Sequence, residues 1–448
     1  MGYSAQEFKQ LAQQNISADP MTRVPSPIKR VLEKHQVDST DTLFFDIHPH
    51  CFTYNNVPSG FPGMGVHLPD FVLSGLGKAV NGIGYLLSAG KRKESTYWNF
   101  YSKKRLLKKF AQYDSADAVL MHQFGLYNMA FRLKKRKRPH IIMTHLMMDM
   151  ERGVKGEAKQ GFYDQLVELS TLRQKRKHDH VILPFLATDP RNPNLYEDFL
   201  AVFTDSDKRI NKTKLSELDD AFPFFGVKIY PSLGYFPSDP KLMEIFEICA
   251  AKNIPVTTHC GGGSTRYNNS KWVKGSRMIW KEGQLEEEPY EIKARYGKKT
   301  GKRMAELFNA PNLWIPVIKA FPKLKLNLAH FGSDLEWANY RDGLSGSHVD
   351  QTLDLITEYP NVYGDISYSC AFDRNLWKIR GWFAPEQFTE ERRATLLRKI
   401  LYGSDYYMTD NKKSLVTIVK SVFEELEQEQ LDHFCVTNPK TFLFEAAK

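Results

Sequence analysis

Short runs of apolar residues recur along the chain, and each run ends in polar or charged residues. The eight runs are TLFFDIH (42–48), HIIMTH (140–145), HVILPFLATD (180–189), FFGVKIYPS (224–232), IPVTTHC (254–260), LKLNLAHFG (324–332), NVYGDIS (361–367) and KILYGSD (399–405). They are too short for helices, rich in β-branched residues, and apolar at consecutive rather than alternate positions. Such runs are typical of parallel strands that helices cover on both faces.

Segments with helical periodicity lie between these runs. They span 101–112, 159–177, 195–218, 241–253, 313–321, 349–359, 385–399 and 414–429. Strand and helix therefore alternate eight times, which predicts an α/β fold and specifically a (β/α)8 TIM barrel.

Two connections are much longer than ordinary loops. They predict insertions at about 51–139 and 262–310, after the first and fifth strands. Both follow the carboxyl end of a strand, so in a barrel both would lie over the active-site face. We interpret 41–448 as one barrel domain carrying these insertions, and 1–40 as an N-terminal extension.

The composition agrees with a folded globular protein, since 42% of the residues are hydrophobic and 25% are charged. The net charge of +10 comes from dispersed basic runs, such as KKRKR at 134–138. No nucleic-acid-binding signature accompanies these runs, so we interpret them as solvated surface and expect no nucleic-acid partner. Binding of an anionic partner or steering of an anionic substrate is the alternative.

The N-terminal sequence MGYSAQEFKQLAQQN lacks a signal-peptide pattern, and no apolar run is long enough to span a membrane. The five cysteines are scattered and form no CxxC pair, which favours reduced thiols. We therefore expect a cytoplasmic protein that acts on a small molecule without a membrane partner, and a homo-oligomer is left open.

Residues able to bind a metal stand at the ends of the predicted strands. They are His48, His50, Lys228, His259, His330 and Asp405. His48 and His50 are two positions apart and so face the same way on an extended chain. A lone histidine is more often structural, but in a barrel these six would meet at one mouth. A site of nitrogen and oxygen ligands suits zinc, manganese, nickel or iron rather than calcium or magnesium.

The order of these motifs resembles the amidohydrolase superfamily, in particular its amidohydrolase-related branch of metal-dependent hydrolases and decarboxylases. The motifs are HPH at 48–50, His259, LAHFG, NVYGDIS, YGSDYYM and the closing VTNPKTFLF, and they cover about residues 40–445. The resemblance implies that His48, His50, His259 and Asp405 hold the principal divalent metal, which we expect to be zinc.

Lys228 determines how many metal ions to expect. Its segment GVKIYPS is similar to the Lys-Leu-Tyr-Pro stretch of dihydroorotases, which implies a carboxylated lysine bridging two metals. Relatives in the amidohydrolase-related branch usually use one metal and keep the strand-six histidine, here His330, as an acid or base. One ion and two ions therefore both remain open.

The expected function is metal-dependent hydrolysis of an amide, cyclic amide, ester or lactone. Asp405 would take a proton from the attacking water and return it to the leaving group, and His330 would act as a metal ligand or as an acid. The alternatives are nonoxidative decarboxylation or hydration on a mononuclear site, and a non-catalytic barrel that binds an anionic partner.

Substrate-binding residues are expected near the same strand ends. Arg266, shortly after His259, is a candidate because its planar fork suits carboxylate or phosphate, and Tyr230 follows Lys228 closely. Other polar residues there line the mouth or cap loops, namely His145, Asp149, Asp189 and Arg191. Asp46 is interpreted as a structural partner at the first strand, and Asp365 as a supporting residue rather than a ligand.

Overall fold

The computed structural model describes residues 42–58, 60–61, 113, 115–175, 181–203, 224–261, 267, 270, 272–293, 307–332, 336–338, 340 and 346–448. The predicted N-terminal extension, Arg266 and parts of both predicted insertions lie outside the described residues.

Each of the eight predicted runs contains a strand. The strands among the described residues are β1 (Leu43–Asp46), β2 (His140–Met143), β3 (Val181–Ile182), β4 (Phe185–Ala187), β5 (Gly226–Ile229), β6 (Val256–Gly261), β7 (Trp272–Lys281), β8 (Gln284–Lys293), β9 (Leu326–Gly332), β10 (Val362–Asp365) and β11 (Ile400–Leu401). The third run is divided into β3 and β4 around Pro184. Proline has no N–H to donate, which accounts for a break in the strand there.

Helices alternate with these strands. They are α1 (Ala116–Leu133), α2 (Phe162–Lys175), α3 (Leu195–Phe203), α4 (Pro240–Lys252), α5 (Ile315–Ala320), α6 (His348–Glu358), α7 (Asp373–Gly381), α8 (Glu390–Leu397), α9 (Leu415–Glu425), α10 (Gln428–Asp432) and α11 (Asn438–Phe444). The boundaries of α4 follow from its sequence: the Asp239 side chain accepts a hydrogen bond from the Lys241 N–H, Pro240 is the first residue, and Asn253 follows at φ 57°.

The strands other than β7 and β8 pair in parallel. One sheet has the order β1-β2-β3, and a second has the order β4-β5-β6-β9-β10-β11. Hydrogen bonds also connect the two sheets: the Phe185 N–H donates to the His145 carbonyl (2.9 Å), and the Ile47 N–H donates to the Tyr402 carbonyl (3.2 Å). The fold is therefore the parallel α/β arrangement that the sequence predicts.

Two described elements lie inside the ranges predicted as insertions. Helix α1 lies in the first range, begins after Ser115, which accepts a hydrogen bond from the Ala118 N–H, and buries eight side chains. Strands β7 and β8 lie in the second range and form an antiparallel hairpin. At the turn Glu282 and Gly283 have φ of 51° and 86°, as a two-residue primed turn requires.

The parallel strands are covered on both faces. All seven residues of β9 and all four of β5 are buried, as continuous apolar runs predict. The five cysteines are buried and form no disulfide. Within the described residues, no helix is both long enough and apolar enough to cross a membrane. In the basic run at 134–138, four of the five residues are exposed.

Candidate metal centre

His48 and His50 lie just beyond β1 and are buried, with 0% and 5% of their surface exposed. The Nδ1 of His48 lies 2.9 Å from Asp365 Oδ2, and the Nδ1 of His50 lies 3.0 Å from the Leu146 carbonyl oxygen. A carbonyl and a carboxylate accept hydrogen bonds, so Nδ1 carries the proton in both rings. Each Nε2 is then left with a lone pair, which is the usual arrangement of a metal-binding histidine.

Asp405 and His330 lie close to this pair. Each of His48, His330 and Asp405 offers one atom that could bind a metal, and these three atoms lie within 4.8 Å of one another. All three residues are buried. His50 Nε2 lies 3.3 Å from Asp405 Oδ1. His330 and Asp405 have φ of 71° and 49°, a conformation uncommon outside glycine that occurs disproportionately at functional sites.

His259 and Lys228 join the same cluster. His330 Nε2 lies 2.9 Å from His259 Nδ1, and Lys228 Nζ lies 3.5 Å from His48 Nε2. His330 Nδ1 faces the Ser367 carbonyl oxygen at 3.2 Å, so that nitrogen carries the proton and Nε2 has a lone pair. All six residues predicted from the strand ends therefore lie in one connected group.

The distances in this group fit a divalent metal. Two atoms bound about 2.1 Å from one metal ion lie about 3.0 Å apart at a right angle and about 3.4 Å apart at a tetrahedral angle. His50 Nε2 and Asp405 Oδ1, which the resemblance implies as ligands of one ion, lie 3.3 Å apart, close to the tetrahedral value. Imidazole nitrogens and a carboxylate are ligands that suit a transition metal or zinc.

Burial sets the charge state of the cluster. It lowers the pKa of His48 well below the ordinary value, and it lowers that of His330 to about 3. Both imidazoles are therefore neutral at pH 7, as a metal ligand must be. Burial also lowers the pKa of Lys228 to about 8, although Asp365 and Asp405 oppose that change.

Asp365, the last residue of β10, supports the cluster. Its carboxylate accepts hydrogen bonds from His48 Nδ1, from Asn327 Nδ2 (2.7 Å) and from the backbone N–H of His330 (3.0 Å). The Ser367 hydroxyl lies between Asp365 and His330, 2.8 Å from His330 Nδ1. Asp365 thus holds the ring of His48 and the backbone of His330 in place.

Three supporting residues were not singled out from the sequence: Asn327, Ser367 and Ser404. Asn327 lies within β9, three positions before His330, and Ser404 directly precedes Asp405. A polar residue inside a buried strand is the signal that could have identified Asn327, because such a residue needs a hydrogen-bond partner. The two serines lie in loops, where serine is common and gives no comparable signal.

The remaining predicted residues lie around the cluster or outside the described part. The ring of Tyr230 lies 4.5 Å from the ring of His259, so Tyr230 borders the cluster. His145 Nε2 contacts Gln123 Oε1 at 3.2 Å, which links it to Asp46 through the same glutamine. Arg266 lies among the residues that the structure does not describe.

A small pocket adjoins the cluster. Its walls include Met147, Met148, Asp149, Asp189, Lys228 and Tyr230. Asp189 is paired with Arg191, whose Nε and Nη2 lie 2.8 and 2.5 Å from the two carboxylate oxygens. Because Lys228 belongs to both the pocket wall and the cluster, and Tyr230 borders the cluster, a molecule in the pocket would lie next to the cluster.

Comparison with solved structures finds distant similarities. The chain is 10% identical to 2,6-dihydroxybenzoate decarboxylase from Rhizobium, with 90% of this chain and 98% of that chain covered and a TM-score of 0.41. It is 12% identical to 5-carboxyvanillate decarboxylase from Novosphingobium aromaticivorans, covering 90% and 96% of the chains, with a TM-score of 0.43. It is 13% identical to dihydroorotase from Campylobacter jejuni, covering 66% and 74%, with a TM-score of 0.32. Similarities this distant do not distinguish one reaction from another.

No curated protein matches the sequence. A protein-family model described as amidohydrolase matches residues 174–444, which is more than half of the chain. The match contains Lys228, His259, His330 and Asp405, whereas β1 with His48 and His50 precedes it. The resemblance read from the motifs is thereby confirmed, and the chain belongs to the amidohydrolase family of enzymes.

Proposed function

We propose that this protein is a metal-dependent hydrolase that cleaves an amide, cyclic amide, ester or lactone bond of a small molecule. One observation carries the proposal: histidine nitrogens and the Asp405 carboxylate converge in a buried cluster, in which one possible ligand atom from each of His48, His330 and Asp405 lies within 4.8 Å of the other two. The neutral state of His48 and His330 supports it, because protonated imidazoles would repel a cation.

The proposal includes closure of the parallel strands into a (β/α)8 barrel. The hydrogen bond from Ile47 N–H to Tyr402 O and the 2.8 Å bond from Asp405 N–H to His48 O support it, because they connect the first strand region with the last. Closure brings the carboxyl ends of the strands to one mouth, where barrel enzymes have their active sites.

His48, His50, His259 and Asp405 would hold the principal ion, and we propose zinc. When bound, such an ion polarises a substrate carbonyl and lowers the pKa of water. Asp405 is the proton carrier: its carboxylate takes a proton from the attacking water and delivers it to the leaving nitrogen or oxygen. Asp365 and the Leu146 carbonyl hold His48 and His50 in the tautomer that leaves Nε2 free.

Lys228 governs whether one or two ions bind. A neutral amine can react with CO2 to give a carbamate and a proton, and the lowered pKa of Lys228 increases its neutral fraction. A carboxylated Lys228 would supply oxygen ligands next to His330 for a second ion. As a free amine, Lys228 would instead bind substrate, and His330 would serve as an acid.

A mononuclear decarboxylase or hydratase is the alternative. In it Lys228 would act as a free amine beside His48, whose Nε2 lies 3.5 Å from Lys228 Nζ. Decarboxylation also needs a cation for the substrate carboxylate. Arg191 is a poor choice, since its guanidinium already binds Asp189 and donates to the Leu233 carbonyl at 2.8 Å.

Metal analysis combined with a substrate screen tests the proposal. We expect at least one equivalent of a transition metal or zinc, and hydrolysis of one member of a panel of amides, cyclic amides, esters and lactones. Measurement of CO2 release from hydroxybenzoates in parallel tests the alternative reaction. Mass spectrometry of the intact protein at mildly alkaline pH would detect a carboxylated lysine. Hydrolysis that persists after complete metal removal would overturn the proposal.

A further inference from the structure

Asp149 is a buried carboxylate beside the proposed active site that lacks a full set of hydrogen bonds. It lies in the wall of the pocket that adjoins Lys228, and 5% of its surface is exposed. Its Oδ1 accepts a hydrogen bond from the Glu151 N–H at 3.3 Å, whereas its Oδ2 has no hydrogen-bond partner among the described residues. Burial of a carboxylate oxygen without a hydrogen-bond donor costs free energy. A ligand that placed a donor at Oδ2 would remove that cost.

The neighbouring arginines do not supply that donor. Arg152 Nε lies 3.5 Å from Asp149 Oδ2, in an ion pair without hydrogen-bond geometry, and its Nη2 donates to Asn192 Oδ1 at 3.1 Å. Arg191 is bound through two nitrogens to Asp189 and through a third to the Leu233 carbonyl. Among the described residues of the wall, Asp149 Oδ2 is thus a buried oxygen that has an ion pair with Arg152 but accepts no hydrogen bond.

We propose that Asp149 is a substrate-recognition residue whose Oδ2 binds an ammonium group of the substrate. This inference rests on the proposed function, in that the ammonium would be carried by the molecule whose carbonyl is attacked at the metal centre. The substrate class is therefore an amide, lactam or ester that bears a primary amine a few bonds from the reacting carbonyl.

Two carboxylates, Asp149 and Asp189, lie together in the pocket wall. Burial and Asp189 raise the pKa of Asp149 to about 7, although Arg152 and Arg191 oppose that change. An ammonium donates three hydrogen bonds and neutralises the carboxylate. The flexible side chains of Met147 and Met148 provide an apolar wall for the methylene groups between the amine and the carbonyl.

Matched pairs of amides test the inference. In each pair an ammonium is replaced by a methyl group of similar size: 3-aminopropanamide with butanamide, 4-aminobutanamide with pentanamide, and 5-aminopentanamide with hexanamide. Binding is measured by calorimetry on the metal-analysed full-length protein at pH 8, and cleavage by ammonia release. We expect at least one amino amide to bind about tenfold or more tightly than its methyl counterpart, as for a charged hydrogen bond.

Variants assign that preference to Asp149. Asp149→Asn should abolish the preference, and Asp149→Glu should move it to an amide shorter by one methylene. Glu197→Gln is the matched control, because it removes a carboxylate from an exposed position of α3. Unfolding curves and metal content show whether the Asp149→Asn variant is folded. If it is misfolded, the inference is tested by whether Asp149→Glu moves the preference to the shorter amide.

The outcomes separate this inference from the proposed function. Absence of any amine preference in the wild type, or its persistence in Asp149→Asn, overturns the role of Asp149 even if amides are hydrolysed. A preference that Asp149→Asn abolishes, without cleavage of any amide, supports the recognition role and counts against hydrolysis of amides.

Discussion

Asp46 and Ser404 are 358 positions apart in the chain and are joined by two hydrogen bonds. The Ser404 N–H donates to Asp46 Oδ1 at 2.8 Å, and the Ser404 hydroxyl donates to Oδ2 at 2.6 Å. Asp46 also accepts the N–H of His48 and the hydroxyl of Tyr127. Since Ser404 precedes Asp405, this one carboxylate fixes the backbone on both sides of the proposed metal centre.

Substitution of this pair should weaken metal binding without removing a ligand. Asp46→Asn is expected to reduce metal affinity about 10- to 100-fold, as for other residues that orient metal ligands. Ser404→Ala keeps the backbone hydrogen bond and should have a smaller effect in the same direction. Competition with a chromogenic chelator measures both affinities. Unchanged affinity in Asp46→Asn would show that Asp46 has only a role in folding.

Gly403 is required where the backbone after β11 passes the first histidine. A Cβ atom added at Gly403 would lie 2.6 Å from the His48 Cβ and 3.1 Å from the Ser367 Cβ. Gly403→Ala should therefore displace His48, lower metal occupancy and destabilise the fold by about 1–3 kcal/mol, as expected for overpacking. Gly381→Ala is the control, because no atom lies within 4 Å of its added Cβ. Equal metal content and stability in the two variants would contradict this prediction.

The strands and the proposed ligands could be predicted from the sequence because both depend on simple patterns. A buried parallel strand is a continuous apolar run, and a ligand at its carboxyl end is a polar residue that interrupts that run. His259 in β6 and His330 in β9 illustrate this, since each follows three or more buried residues. Ligands from distant strands meet because parallel strands end on the same side.

Other features depend on contacts that no periodic pattern reveals. The role of Asp46 arises from Ser404, and the unused oxygen of Asp149 arises from the geometry of Arg152. Helix α1 was not predicted, because the long first connection was interpreted as a single insertion. The β7–β8 hairpin does have a signal, the turn residues Glu282 and Gly283, although the long connection that contains them is predicted only as an insertion.

Metal removal should destabilise the protein as well as inactivate it. If free metal exceeds its Kd about 1,000-fold, binding to the folded state alone contributes about 4 kcal/mol. Chelation is therefore expected to lower the melting temperature, and added metal should restore it in the wild type and in His433→Ala. His433 is a partly buried histidine in the helical segment after α10 and serves as the control. His48→Ala and His50→Ala, which each remove a proposed ligand of the principal ion, should recover poorly. A melting temperature unaffected by chelation or added metal would argue against the site.

Lys325 should make stability depend on alkaline pH. Its amine is buried and donates to the Glu445 carbonyl at 2.9 Å, and burial lowers its pKa from 10.5 to about 7. Between these values the unfolded chain binds more protons than the folded one, so the unfolding free energy contributed by Lys325 rises from pH 7 to about 10.5. Lys325→Met should therefore be more stable than the wild type at pH 7, by no more than about 4 kcal/mol, and lose this advantage by pH 10.

Urea denaturation of both proteins at the two pH values measures the difference in unfolding free energy. Lys319→Met, at an exposed position of α5, is the control and should show much less pH dependence. An advantage of Lys325→Met that is equal at both pH values would mean that Lys325 does not lose its proton in the folded state.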